Sequence, residues 1–550
     1  MGDPRSTLTA ETMIRSRGEP TMQHDKFTDN NLNCSSTMPA KRILRSALFL
    51  GAVAIIIPSQ AFSQTVDQKQ AGMNVVKKRE RHALKVKSLV NNDEAAAAAL
   101  KASSSSPAIS AGDQALMQAR SKTAARFDNY QIKGFNIPYP SYSDSLLQDY
   151  GSIRSKLDEY GIGIVGDVTA IGAYNLLDGP RSGPGPVMAD GRQSDQQFWG
   201  QKLSGTNFLQ AGLSFDTDRW WGVPDGQIVV MGVNTVSSWQ NYNPNQTAVA
   251  AITWYQTLFD KSLELKFGIQ TNEKEWVGTV IGGNIANPIG SSAAVHYEMG
   301  LGPVPAAQPS ARLKWNITDN IYEQIGVMRS LPINGPTGNP IYDNRIYNPS
   351  NLDFDVPNGG LLAINEIGYK TAASPGVHST WLRGGIMWNN SDFNNFATGR
   401  KQSGAVAGYL LGDYQLTQIA PDSIFSAYRG LYAGATMMMG DEDVLPFFAS
   451  YEARLYGIGL MDSRPQDMIS LSYTYNDISK SLGRQINSFS NLSGLFANSA
   501  SQTAQLSYTA HVTDGVSATL GVGYTMNPSV TQRREDRNAL NVILALFMPL

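Results

Sequence analysis

Residues 451–475 read YEARLYGIGLMDSRPQDMISLSYTY. In the second limb, Ile469, Leu471, Tyr473 and Tyr475 alternate with Ser470, Ser472, Thr474 and Asn476. Strand side chains repeat every two residues, so the first set forms an oily face and the second a polar one. By the same parity the first limb sets Tyr451, Ala453 and Leu455 opposite Glu452 and Arg454. Between the limbs, 462–467 reads DSRPQD, with short polar side chains and a proline that fixes φ. The stretch predicts a hairpin with one apolar face. That face meets either a protein core or a lipid bilayer, and the rest of the chain discriminates between them.

Composition narrows the choice. Of 550 residues, 42% are hydrophobic and only 16% charged, below the roughly 25% of an ordinary soluble domain. A mean hydropathy of −0.24 is too polar for a bundle of membrane helices, each of which needs ~20 apolar residues in a row. A membrane barrel places its apolar residues at every second position, so this value is compatible with one. The net charge of −2 indicates no nucleic-acid partner. The single cysteine, Cys34, precedes an expected cleavage site, which leaves the remaining chain without disulfides or thiolate metal sites.

Residues 1–37 are polar and without periodicity, and read as an over-long or non-native extension. Residues 38–63 read as a signal peptide. Lys41, Arg42 and Arg45 form a basic start, 47–57 is apolar but too short to span a bilayer, and Ala61-Phe62-Ser63 resembles a cleavage site. Residues 64–135 form a basic, Ala/Ser-rich arm or linker, partly helical or disordered, with Lys77, Lys78, Arg79, Arg81, Lys85 and Lys87 clustered. Two readings of it stand: a solvated linker, or a periplasmic arm touching peptidoglycan or other protomers.

From residue 136 to 550 the pattern is that of strands, after a short amphipathic helix predicted from Ile153 and Leu157 and ending at Gly161. Leu263, Leu265 and Phe267 alternate with Glu264 and Lys266, and Leu313, Trp315 and Ile317 with Arg312 and Lys314. Tight connections such as Asp260-Lys261-Ser262, Thr318-Asp319-Asn320 and Thr513-Asp514-Gly515 contrast with long ones at 178–197, 282–309, 331–359 and 481–500. Outer-membrane barrels have this asymmetry, whereas a soluble sandwich rarely tolerates so many structureless loops. At about 25 residues per strand and connection, 151–550 holds roughly 16 strands. Trp220, Trp221, Trp254, Tyr255, Trp276, Trp381, Trp388, Tyr428 and Tyr432 fall near strand ends, as a membrane-interface girdle would. The predicted fold is all-β: a transmembrane antiparallel β-barrel of about 16 strands closed by an apolar last strand within 538–550.

At these residues the chain resembles the carbohydrate-selective porins of Gram-negative outer membranes (OprB-like). The resemblance is carried by LDEYGI at 157–162, WYQTLFDKSLELKFG at 254–268, NEIGY at 365–369, the hairpin with Tyr456-Gly457 and Arg464-Pro465-Gln466-Asp467, and LSY at 506–508 continuing to YTMNP at 524–528. It implies a 16-stranded outer-membrane barrel that passes small sugars and polyols by diffusion, in contact with outer-membrane lipid.

No catalytic pattern stands beside this reading. No Gly-rich phosphate loop opens a helix, Gly-x-Ser-x-Gly is absent, and His296, His378 and His511 are isolated in sequence. Glu273 and Glu275, two apart beside Lys274 and Trp276, read as a solvated loop. The chain is expected to need no cofactor or metal and to be no enzyme. A sugar pore needs polar groups that replace the water on a hydroxyl-rich solute yet release it. A charge on the lipid face near mid-bilayer costs about 2–4 kcal/mol, so parity turns the strand charges inward. The pore-lining candidates are Glu264, Lys266, Arg312, Lys314, Glu366, Arg383, Glu452 and Arg454. Two rivals are an exported polysaccharide-binding β-sandwich and a barrel with adhesin or enzyme loops.

Overall fold

The computed structural model describes residues 126–137, 139–177, 196–238, 245–279, 294–421, 426–488, 490, 494–532 and 538–550. The extension at 1–37, the signal peptide at 38–63 and the arm up to residue 125 lie outside the described residues.

Sixteen antiparallel strands close into one ring. They are β1 (Ile162–Asn175), β2 (Ser204–Asp216), β3 (Gly226–Ser237), β4 (Gln246–Leu258), β5 (Leu263–Gln270), β6 (Gln308–Asn316), β7 (Ile321–Arg329), β8 (Leu361–Thr371), β9 (Thr380–Asn395), β10 (Arg400–Gln415), β11 (Gly430–Gly440), β12 (Phe447–Ile458), β13 (Met468–Ile478), β14 (Ala500–Thr513), β15 (Val516–Met526) and β16 (Asn538–Pro549). Each strand pairs with its chain neighbours, and β16 pairs with β1 from Asn541 opposite Asn175 to Pro549 opposite Asp167. The expected number of strands and the expected closing strand are both present.

The deciding hairpin is β12–β13. Tyr451 faces Tyr475, Ala453 faces Tyr473 and Leu455 faces Leu471, while Glu452 faces Thr474 and Arg454 faces Ser472. Leu455, Leu471 and Tyr473 are exposed on the outer wall; Glu452, Arg454, Ser472 and Thr474 are buried on the inner one. One rim of the barrel carries the tight connections 259–262, 317–320 and 514–515, and the other carries 176–203, 271–307, 330–360 and 479–499. The contrast is not uniform, since 396–399 on the long-loop rim is short and 416–429 on the opposite rim is not. In outer-membrane barrels the short-turn rim faces the periplasm.

Three details depart from the sequence pattern. The short helix exists, at Ile153–Asp158, but its buried face is Arg154 and Asp158 rather than Ile153 and Leu157. The helix sits against strand ends, whose free carbonyls favour a guanidinium: Arg154 donates to Gln148 O, Ile164 O (2.9 Å) and Leu550 O (2.6 Å). The aromatic girdle is also narrower than expected. Trp220, Trp221 and Trp254 form an outer cluster with Phe215 and Phe267, whereas Tyr255, Trp276, Trp381 and Tyr432 are buried inside.

The third departure is that much of the inner wall is apolar. On β1, β3 and β4, Val165, Val229, Met231, Val233, Ala248 and Ala250 pack against Ile132, Phe135 and Tyr139 from upstream of β1, and against Val304. On β7 to β11, Met328, Leu362, Ile364, Met387, Ala407 and Met438 pack against Trp276, Val277, Val295, Met299 and Leu301 of the 271–307 loop. These inner surfaces are dry because two segments fold into the barrel and cover them. Burial stabilises at roughly 25 cal/mol per Å² of apolar area, enough to hold a segment that water would otherwise solvate.

The outer wall yields a first prediction. Leu471→Lys, on the exposed face of β13, is expected to cost up to about 2–4 kcal/mol, the figure for mid-bilayer depth. The measurement is the urea midpoint for loss of the heat-modifiable, fast-migrating form on gels, which should fall relative to the parent.

Candidate functional site

The lumen site is assembled from cross-strand pairs. Register places Glu264 of β5 opposite Lys314 of β6, and Lys266 opposite Arg312. Arg312 lies 3.3 Å from Glu264, and Lys314 lies 3.7 Å from it. Lys266, fully buried, pairs instead with Glu275 of the 271–307 loop, and Arg312 reaches the same carboxylate at 3.8 Å. Removing two charges from water costs several kcal/mol per ion, so such a pair persists only with tight geometry and further hydrogen bonds. Gln270 supplies one to Glu275 Oε2 (3.3 Å).

A second group lies along β7 to β10. Glu366 accepts from Tyr322 (2.9 Å), Gln324 (2.8 Å) and Tyr409 (2.7 Å). Arg383 stacks on Trp381 at 3.7 Å and donates to Trp276 O (2.9 Å) and Gly278 O, pinning the 271–307 loop to the wall. Lys370 also lies near this ring, 4.9 Å from the centre of Trp381. Trp276 itself rests over Gly326, where any Cβ would approach its ring to 2.3 Å, so the glycine makes room for the loop.

The third group belongs to β10 to β13. Arg454 donates twice to Asp413 (2.9 and 2.7 Å), once to Glu452 (2.8 Å) and once to Thr436 (2.8 Å). Two nearly parallel bonds fix the guanidinium plane as well as its position. Tyr456, stacked on Tyr432 at 5.0 Å, donates to the same Asp413 (3.2 Å).

All eight charges singled out from sequence therefore point into the barrel, and they fall into these three groups. Reasoning from parity missed four partners. Glu275, expected in a solvated loop, is fully buried between Lys266 and Arg312, because its loop folds inward. Asp413 had a signal, since it shares the inner parity of Tyr409 and Leu411 on β10. Lys370 had the same signal on β8. Asn136, upstream of β1, had none: it donates to Glu275 O (2.8 Å) and accepts from Lys314 (3.3 Å) and Lys370. His511, isolated in sequence, meets Asp144 at 2.8 Å beside Asp514 at the short-turn rim.

The arrangement gathers hydrogen-bonding groups of both signs, mostly buried, on the inner wall of the closed ring. The family profile of the carbohydrate-selective porins (OprB family) matches residues 195–544. The chain belongs to the carbohydrate-selective porin family. A structure of Pseudomonas putida OprB at high pH aligns with a TM-score of 0.60 at 16% identity, covering 75% of this chain and all of that one. Its low-pH counterpart aligns at 0.46 and 14% identity over the same shares. A mutant Rh. blastica porin gives 0.36 at 7% identity, over 71% of this chain and all of that one. No functionally curated protein matches. Membership makes the chain an outer-membrane channel for carbohydrates rather than an enzyme, in agreement with the closed ring of 16 strands.

The inward loop generates a pH prediction. His296, in the single turn Val295–Glu298, is fully buried, its ring lies tilted by 45° against Tyr297 with centres 3.8 Å apart, and neither ring nitrogen has a hydrogen-bond partner. Burial pushes its imidazole from the ordinary 6.5 down to about 3. The packed loop therefore prefers neutral His296, and its stability falls as pH drops from about 6.5 toward 3. Burial raises the carboxyls of Glu273 and Glu298, which act in the opposite sense. Because both carboxyls are common to parent and variant, the His296→Gln comparison isolates the ring. Open-channel current noise in planar bilayers should rise more in the parent than in His296→Gln over that window.

Proposed function

We propose that the three charged groups form the solute path of this porin, and that it passes small neutral carbohydrates, monosaccharides and polyols among them. The carrying observation is that Glu264, Lys266, Arg312, Lys314, Glu366, Arg383, Glu452 and Arg454 share one inner wall, with Glu264, Glu275, Asp413 and Glu452 each paired to a cation there. Cations and carboxylates side by side present donors and acceptors together, which suits a hydroxyl-rich neutral solute. Each protein–sugar hydrogen bond replaces one to water and nets only about 1 kcal/mol, so binding stays weak enough for release. The 271–307 loop, held by Arg383 and packed on β11 and β12 through Glu298 and Phe447 N (2.9 Å), narrows the path. Residues 38–63 serve as the export leader and 64–125 as a periplasmic arm toward peptidoglycan or neighbouring protomers; the last ten residues of the expected arm, 126–135, belong instead to the inside of the barrel.

Liposome swelling with a panel of sugars tests this reading. Glucose-sized neutral solutes should enter faster than in protein-free vesicles, and folded protein without effect would refute it. Arg454→Ala frees Asp413 and Glu452 from their cation, so it should raise cation selectivity and alter sugar entry without unfolding the barrel. Glu452→Ala should alter permeation with the opposite charge bias. Unaltered permeation in both variants would move the path away from this group.

A further inference from the structure

Residues 126–137 and 139–144 form a loop inside the barrel. Its base is closed near the short-turn rim: Phe127 packs edge-on against Tyr142 at 4.7 Å, and Asp128 accepts from Ser141 (2.9 Å) and from Tyr142 N (2.7 Å). One limb runs along β1 to β3. Tyr130 O accepts from Ser214 (2.7 Å) and Gln227 (3.2 Å), and Lys133 N donates to Gln227 (2.9 Å). The returning limb reaches β1 again, where Tyr139 donates to Asp167 (3.0 Å).

The tip, Gly134-Phe135-Asn136, crosses to β5, β6 and β8 and meets four cations. Arg312 donates to Gly134 O (2.6 Å), Lys314 to Asn136 Oδ1 (3.3 Å) and Lys370 to Asn136 O, while Lys266 lies 4.1 Å from the Phe135 ring centre. Gly134 has φ +87°, and a Cβ there would press on Arg312 and Tyr255 at 3.0–3.1 Å, so glycine permits this approach.

The charges in this half of the lumen do not cancel. Lys266, Arg312, Lys314, Lys370 and Arg383 face Glu264, Glu275 and Glu366, an excess of two cations. The tip supplies no carboxylate. It covers the excess with neutral acceptors: two backbone carbonyls, one amide oxygen and an aromatic face.

We infer that the lumenal loop 126–144 determines the charge selectivity of the pore, by occupying cations that would otherwise attract small anions such as chloride or phosphate. Gly134, Phe135 and Asn136 are its specificity-determining residues. The inference rests on the channel reading and adds to it why a wall with this many lysines and arginines serves neutral solutes. Excision of the tip also removes Lys133, so any gain in anion preference would arise from the wall and not from the loop's own charge.

The experiment measures reversal potentials in planar bilayers under a potassium chloride gradient, with the full chain as parent. Replacing 131–139 by a short Gly-Ser bridge should raise the chloride-to-potassium permeability ratio by about threefold or more, since uncompensated charge in a narrow lumen concentrates counter-ions. Adding Lys314→Gln and Lys370→Gln to the excised channel should return the ratio toward the parent value. Gly134→Val, which displaces the tip without deleting it, should shift the ratio in the same direction and decides the matter if the excised chain does not fold. An unchanged ratio in a folded, heat-modifiable excised channel overturns the inference. So does a raised ratio that the two lysine substitutions leave in place. A parent that conducts nothing overturns the channel reading along with it.

Discussion

A strand in hydrocarbon has no water to satisfy its N–H and C=O groups, and an open sheet would leave one row of them bare at each edge. Pairing of β1 with β16 removes both edges together. Once the ring is closed, each strand has an outside and an inside, and every later feature follows from that division. The outer wall disfavours charge, so Leu, Ile, Val, Tyr and Trp cover most of it, with Glu323 near the short-turn end of β7 an exception that accepts from Asn365 (3.1 Å). Residues that cannot lie there turn inward, which gathers lysines, arginines and carboxylates on one inner wall without any segment coding for a pocket.

Alternation alone gives a simple pore, oily outside and wet inside. This barrel is more elaborate, because part of its inner wall is as apolar as its outer one. Val229, Met231 and Val233 face inward while Val230 faces out, so β3 is dry on both sides. A dry inner wall needs a cover, and the described residues of the 126–144 and 271–307 segments provide it. The same segments carry polar groups to the charged belt: Glu275 from one, Asn136 and the Gly134 carbonyl from the other. Apolar packing thus sets where the polar contacts fall, and the geometry of the path depends on how the covers seat.

The wall was legible in the sequence and its filling was not. Parity over two residues fixes a side chain's face, which is why Glu452, Arg454 and the Glu264–Lys266 and Arg312–Lys314 pairs were placed on the inner wall from the chain alone. Glu275 and Asn136 belong to segments without a period, and their positions depend on contacts with residues far along the chain. Trp276 and Trp381 read as girdle residues because aromatic chemistry suits both an interface and a cation cluster. One clue was present and unused. The run 228–233, IVVMGV, does not alternate, and an uninterrupted apolar strand signals cover on both faces.

The Arg154 clamp has a consequence for biogenesis. A guanidinium ahead of the first strand holds the carbonyl of Leu550, and Leu146 N reaches Pro549 O at 2.7 Å. The seam thus unites the two most distant parts of the barrel sequence, the kind of contact that forms slowly because so much chain entropy must be lost first. Any partly built barrel is an open sheet with two adhesive borders. Such an intermediate needs a protected site in which to wait, so completion of this protein is timed by the arrival of its last dozen or so residues rather than by hairpin formation along the way.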